Sequence, residues 1–310
     1  MKAVRYHSYG DSDVLVLEEA EQPKAGPGRV VLKVAGAAFN PVDTAIRSGG
    51  FQQIAPVAFP HTPGIDASGV ITEIGEGVAG WNLGDAVIAN LPMSAPGPSA
   101  EYVAAPADAL AAAPKSIPLA DASALPATGL TAWQGLFEHA NLQAGQRLLV
   151  NGAGGGVGGL AVQLAKRAGA EVTATASARS ADRVEAAGAD RIVDYTAVPV
   201  AEALEGERFD AVFHLVYATP EEVERLVGLV ADGGVFVTTT GPAPEGVGRG
   251  VRAAQMFMHS DAAKLAELAA LVDAGELTVD VAERLPLAEL PSVHDRAAAG
   301  GLAGKTVLVP

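Results

Sequence analysis

The chain contains no cysteine. That absence excludes structural disulfides, thiolate zinc sites and cysteine nucleophiles at once. An excess of positive charge is also missing: 21 Lys and Arg stand against 36 Asp and Glu, for a formal charge of −15. A nucleic-acid partner needs the opposite balance, because phosphates are bound by Lys and Arg. The acidic residues are spread along the chain and not gathered in a tail, the pattern of a solubilising surface. No apolar stretch reaches the ~20 residues of a membrane-spanning helix without a charge or a turn signal. The opening MKAVRYHSYGDSDVLVLEEA lacks the apolar region of a signal peptide. The expectation is a soluble, cytoplasmic protein with no nucleic-acid or membrane partner. The six histidines, at 7, 61, 139, 214, 259 and 294, show no H-x-x-x-H spacing, so no metal site is expected.

What is present is the composition of a core-forming globular protein, 49% hydrophobic and 18% charged, over 310 residues, enough for two domains. Up to about Ala122 the chain alternates short apolar runs (Val30–Val34, Gly69–Ile74, Asp85–Ala89) with turn pairs such as Pro27-Gly28 and Pro63-Gly64, which predicts a compact β-rich module. From Arg147 the rhythm is strand–helix–strand. Strands are predicted at Arg147–Val150, Val172–Ala176, Arg191–Tyr195, Asp210–Val216 and Val235–Thr239. Helices are predicted at Val157–Ala168 and Ala181–Ala187, and from Thr219 to a stop at Gly233. Thr219, Pro220 and Glu222 form a capping box that opens the third of these. A further amphipathic helix is expected at Asp261–Ala274. Repeated β-α-β units mean a doubly wound parallel sheet. The closing GKTVLVP reads as a strand whose place the periodicity does not fix.

The stretch VNGAGGGVGGLAVQLAKRAG at 150–169 places six glycines within eight residues between an apolar strand and an apolar helix. That context makes a dinucleotide fingerprint credible. G-x-G-x-x-G fits Gly154, Gly156 and Gly159; A-x-G-x-x-G fits Ala153, Gly155 and Gly158; the pattern alone does not choose. Either register gives a tight turn, close backbone approach to a pyrophosphate, and a helix N-terminus offering free N–H groups. An NAD site usually carries Asp or Glu at the end of the second strand to bond the ribose 2′-hydroxyl. Here that end reads Thr175-Ala176-Ser177-Ala178-Arg179-Ser180, with no acid. Arg179 and the hydroxyls of Ser177 and Ser180 suit a 2′-phosphate. NADPH is the expected cofactor.

These residues resemble the zinc-independent quinone oxidoreductase branch of the medium-chain dehydrogenase/reductase superfamily. The resemblance runs nearly end to end. It is carried by NPVDTAIRSG at 40–49, PGIDASGV at 63–70, LPATGLTAWQGL at 125–136, the glycine loop, ATASAR at 174–179, AGADRIVDY at 187–195 and GKTVLV at 304–309. It implies an α/β protein of two domains. One is a GroES-like, chaperonin-10-like β-barrel catalytic domain over 1–121 and 285–310; the other is a Rossmann NADPH-binding domain over 122–284. It favours the second register, with Ala153, Gly155, Gly156, Val157 and Gly158 as cofactor-binding residues. Ser177, Arg179 and Tyr195 match residues that hold the adenosine phosphate of NADPH. Asn40 and Thr131 match residues near the nicotinamide and substrate, and Thr62 matches a cleft-lining threonine. Asn40-Pro41-Val42-Asp43 is equally a turn sequence, and Thr131 equally a helix cap. The chain departs from the family pattern at Ala45, where an aromatic residue is usual, and at His214 and Tyr217, where Asp and then Gly are common.

The activity implied is hydride transfer from NADPH to a quinone or an α,β-unsaturated carbonyl, with Asn40, Thr131 and Thr62 at the catalytic site. Alternatives are reduction of an enoyl thioester and a non-enzymatic NADPH-binding protein. A methyltransferase cofactor site is disfavoured, since such sites prefer an acid where Arg179 stands. A homodimer is expected from the resemblance, with Val235–Met258 at its edge.

Overall fold

The computed structural model describes all of residues 1–310 and divides the chain into two compact units: Met1–Ala127 with Ser260–Pro310, and Thr128–His259. The first unit is built on a seven-stranded sheet. Its backbone is the strand Arg29–Ala38, longer than the alternating run Val30–Val34 predicts. The extension past Gly36 comes from partners, not from local propensity: Asp66–Ile74 pairs with it antiparallel along its length, and Tyr102–Pro106 and Lys305–Val309 also pair with it. Val30, Leu32 and Val34 pack on Ala67, Ile71, Val87, Leu91, Val103 and Leu110 to form the barrel core. The closing strand Lys305–Val309 thus finds its place beside residues of the first forty, with Val307 opposite Ala38 and Leu308 opposite Ala37.

The second unit holds six parallel strands. Their order is Arg191–Asp194, Glu171–Ala176, Arg147–Asn151, Phe209–His214, Val230–Thr238 and Arg252–Gln255. In chain order that is third, second, first, fourth, fifth, sixth, the doubly wound arrangement in which ligands sit at the carboxyl ends of the strands where the order reverses. Helix Gly156–Arg167 buries Leu160, Val162, Leu164 and Ala165, the stripe its periodicity predicts.

Two expectations need correction. Gly233 does not end the helix that starts at Thr219; that helix spans Pro220–Gly228 and is capped by Leu229. Gly233 instead lies inside strand Val230–Thr238 at φ +76°, where the pairing jumps from Phe209–Val230 to Ala211–Val235. Only a residue free to adopt a left-handed conformation suits such a bulge. The helix Ala262–Asp273, expected within the cofactor domain, belongs to the first unit. Its last carboxylate, Asp273 Oδ1, accepts the N–H groups of Lys115 and Ser116 at 2.6 and 2.8 Å. A residue-level boundary of this kind depends on contacts that local patterning does not encode.

Three buried histidines stay neutral at pH 7. Burial pushes His61 and His214 down to about 4 and His294 to about 3. The unfolded chain therefore binds more protons than the native one below the ordinary histidine value of about 6.5, and stability falls as pH drops from there. Asp43 opposes this: burial raises its carboxyl to about 7, so the native state holds that proton from about pH 7 downward. Burial raises the Asp66 carboxyl in the same sense. With three histidines against these two carboxyls, urea midpoints are expected to fall between about pH 6.5 and 4.5. In Asp43→Asn, which removes one of the opposing groups, the decline steepens. A flat profile contradicts this.

Candidate functional site

In the second unit the strand Arg147–Asn151 ends at a turn whose first residue, Gly152, takes φ +106°. Gly155 is the N-cap of the following helix and supplies no side-chain cap, so the N–H groups of the first turn are open to an anion. The packing distinguishes the two glycine registers. A Cβ on Gly158 would lie 2.3 Å from the carbonyl oxygen of Gly152 and 2.5 Å from Cα of Ala153. A Cβ on Gly159 would meet nothing closer than 3.9 Å. Gly158 is therefore where helix and turn touch, whereas Gly155 is exposed and a Cβ there would meet only the Gly152 carbonyl oxygen, at an ordinary 3.6 Å. This geometry favours Ala153, Gly155 and Gly158, with Gly156 and Val157 giving the first helical N–H groups.

The strand Glu171–Ala176 delivers Ser177, Ala178 and Arg179 to the same end of the sheet. Arg179 is exposed and pairs with no carboxylate. Ser177 is partly exposed, but Ser180 is not the phosphate ligand its hydroxyl suggests. Its Oγ is used within the turn, bonding the carbonyl of Ser177 at 3.3 Å, and it lies where a Cβ on Gly154 would come within 2.5 Å. Ser180 thus locks the Ser177–Ser180 turn against the glycine loop. The neighbouring strand Arg191–Asp194 runs in register, Asp194 opposite Ala176, which carries half-exposed Tyr195 alongside Ser177. The acid nearest in register is turned aside: Asp194 accepts both the N–H and the hydroxyl of Thr196, at 2.9 and 2.6 Å, and those bonds hold its carboxyl below the usual range.

Thr131 lies inside helix Pro126–Trp133, not at its cap, and is partly exposed. Its hydroxyl has no protein partner.

In the first unit Asn40 is the N-cap of helix Pro41–Arg47, and its N–H donates to Asp43 Oδ2 at 2.8 Å. Its side chain is fully committed. Nδ2 donates to the carbonyl of Ala38 at 3.3 Å and to Asp66 Oδ2 at 3.0 Å; Oδ1 accepts Lys305 Nζ at 2.6 Å. Asp66, wholly buried, also accepts Asn90 Nδ2 and the N–H of Ala127. Lys305 further donates to the carbonyl of Phe39 at 2.8 Å and faces Asp66 at 3.8 Å. Burial lowers the Lys305 ammonium and raises the Asp66 carboxyl; their mutual attraction opposes both shifts. Thr62 is buried with its carbonyl bonded to the N–H of Gly97, and its hydroxyl has no partner. Asp66, Asn90 and Lys305 were not singled out from sequence as functional residues. The visible signal was a charge set in an apolar run, in GIDASGV and GKTVLV.

No group of three or more His, Cys, Asp or Glu side chains comes together as a metal could require.

A doubly wound sheet with an anion-ready glycine turn, carried in one chain with an antiparallel GroES-like unit, defines a two-domain dehydrogenase/reductase. Family comparison agrees. Residues 26–115 match the alcohol dehydrogenase GroES-like domain, and residues 187–308 match a family described as zinc-binding dehydrogenase. A chloroplast envelope quinone oxidoreductase homolog of Arabidopsis thaliana is 38% identical over 252 residues, 78% of this chain and 76% of that protein. An NADPH-dependent alkenal/one oxidoreductase of the same plant is 36% identical, over 78% of this chain and 63% of that protein. The structure of Escherichia coli quinone oxidoreductase complexed with NADPH superposes with a TM-score of 0.89 at 25% identity, covering 100% of both chains. The chain belongs to the quinone oxidoreductase branch of the medium-chain dehydrogenase/reductase superfamily, and it is an oxidoreductase.

Proposed function

We propose that the chain uses NADPH in preference to NADH and reduces a quinone or an α,β-unsaturated carbonyl without a metal ion. The observation that carries the cofactor choice is the strand end at 177–180: an exposed, unpaired Arg179 where an NAD site would hold an acid. The N–H groups of Gly156 and Val157 would take the pyrophosphate, and Arg179 with Ser177 would take the 2′-phosphate beside Tyr195. When bound, NADPH supplies a hydride. The residues of the chain then have two tasks, to orient the acceptor and to stabilise the negative charge its oxygen gains. Thr62 in the first unit and Thr131 in the second each keep a hydroxyl that no other residue of the chain engages. Asn40 spends both amide hydrogens on Ala38 and Asp66, so the donor role expected of it falls to a hydroxyl such as that of Thr62. Water provides the proton that completes the reduction.

The test is NADPH consumption by the purified chain, with a chelator present, against a panel of quinones and enones. Turnover that survives chelation supports the proposal. Tight NADPH binding with no turnover on any acceptor overturns it.

A further inference from the structure

Under the glycine turn runs a buried hydrogen-bond chain that links the carboxyl ends of three adjacent strands. The N–H of Gly152 donates to Thr175 Oγ1 at 2.8 Å. The Thr175 hydroxyl donates to Asn151 Oδ1 at 3.0 Å. Asn151 Nδ2 lies 2.9 Å from His214 Nδ1. Thr175 and His214 are each 1% exposed and Asn151 is 6% exposed, so no solvent competes for these bonds. The direction of each link follows from the atoms that meet: the backbone N–H of Gly152 donates to Thr175 Oγ1, the Thr175 hydroxyl donates to Asn151 Oδ1, and Asn151 Nδ2, which can only donate, faces His214 Nδ1. His214 Nδ1 is therefore the acceptor, and the ring proton sits on Nε2. That second nitrogen is buried and has no hydrogen-bond partner, a standing cost to the fold that the Nδ1 bond must offset. Burial keeps the ring neutral, which the acceptor role requires.

The chain ends on the residue whose geometry matters most to the turn. Gly152 sits at φ +106°, and its carbonyl is the atom against which helix residue Gly158 packs. Holding the N–H of Gly152 anchors the Asn151–Gly152 peptide, the plane immediately before the one that carries the Gly152 carbonyl, and so restrains the turn on which the helix N-terminus packs.

We propose that His214 is a positioning residue for the dinucleotide turn, acting through Asn151 and Thr175 on the N–H of Gly152. This rests on the reading of that turn as the cofactor site. The role is that of a neutral acceptor, so a side chain that accepts at the Nδ1 position can replace it and an apolar one cannot. Because the chain acts at the pyrophosphate end, it weighs equally on both dinucleotides and leaves the 2′-phosphate contact untouched.

The experiment titrates NADPH and NADH separately into the wild type, His214→Leu, His214→Asn and Thr175→Val, with melting temperatures recorded alongside. His214→Leu and Thr175→Val are expected to weaken both dinucleotides by a similar factor, about tenfold, as for a lost buried bond. His214→Asn, whose Oδ1 can accept from Asn151, recovers most of that loss. A lower melting temperature with both affinities unchanged overturns the proposal, since the role would then be structural. A loss confined to NADPH overturns it too. Should His214→Leu fail to fold, Thr175→Val carries the decision by the same criteria. A wild type that binds neither dinucleotide is a different failure, that of the cofactor reading itself.

Discussion

Gly158→Ala is expected to weaken dinucleotide binding by about a hundredfold, while Gly159→Ala one position on leaves it unchanged. The added methyl at 158 would sit 2.3 Å from the Gly152 carbonyl oxygen and 2.5 Å from Cα of Ala153. Both obstacles are backbone, so no flexible side chain can turn away. Relief requires the helix to retreat from the turn, and displacements near an ångström at a binding centre carry losses of about that size. The same overpacking is expected to cost about 1–3 kcal/mol of stability. At Gly159 the nearest atom to an added Cβ is 3.9 Å away, and the residue is helical. Gly159→Ala is therefore expected to stabilise by up to about 1 kcal/mol through helix propensity. Affinity and stability measured on the two variants decide between the registers. If Gly159→Ala is the damaging change, Gly154, Gly156 and Gly159 are the fingerprint.

Lys305→Met is expected to destabilise the first unit by about 3–5 kcal/mol at pH 7, the usual consequence of removing one partner of a buried ion pair. The replacement fills similar volume, so the loss is not one of packing. It leaves the wholly buried Asp66 carboxylate with Asn40, Asn90 and the Ala127 N–H but no counter-charge. It also frees Asn40 Oδ1, so the amide plane of Asn40 loses one of its three anchors. The pH dependence identifies the cause. Without Lys305 the native pKa of Asp66 rises further above its unfolded value. The native state then holds a proton that the unfolded state has lost, and the variant recovers stability as pH falls through that window. Lys305→Met with Asp66→Asn is expected to regain much of the loss at neutral pH. Urea unfolding that shows the same deficit at pH 5 and pH 7 rejects the electrostatic origin.

How much of this was legible in the sequence varies with the range of the interaction. The parallel strands, the glycine turn and the missing acid after Ala176 are local features, and the structure places each where the spacing put it. So is the Thr219 cap, where Glu222 and Thr219 exchange bonds of 2.8 and 3.3 Å. The Asn40 cluster is the opposite case. Asn40 and Lys305 are 265 residues apart, and neither one's flanks name the other. A lysine within GKTVLV does say that a buried cation needs a partner; it does not say which. Ser180 is a related case, since its hydroxyl suits a phosphate by residue type but bonds the carbonyl of Ser177 within its own turn. His214 stood out only as a departure from family pattern, because its partners Asn151 and Thr175 lie on other strands.

The central claim is that the stretch from 150 to 180 holds a dinucleotide and that its last residues choose NADPH. The direct measurement is the dissociation constants of NADPH and NADH for the wild type and for Arg179→Ala. The wild type is expected to prefer NADPH. The substitution removes a charge-assisted bond to the 2′-phosphate and is expected to weaken NADPH by about 10–100-fold while NADH changes little. Equal loss for both dinucleotides, or a wild type that prefers NADH, contradicts the assignment.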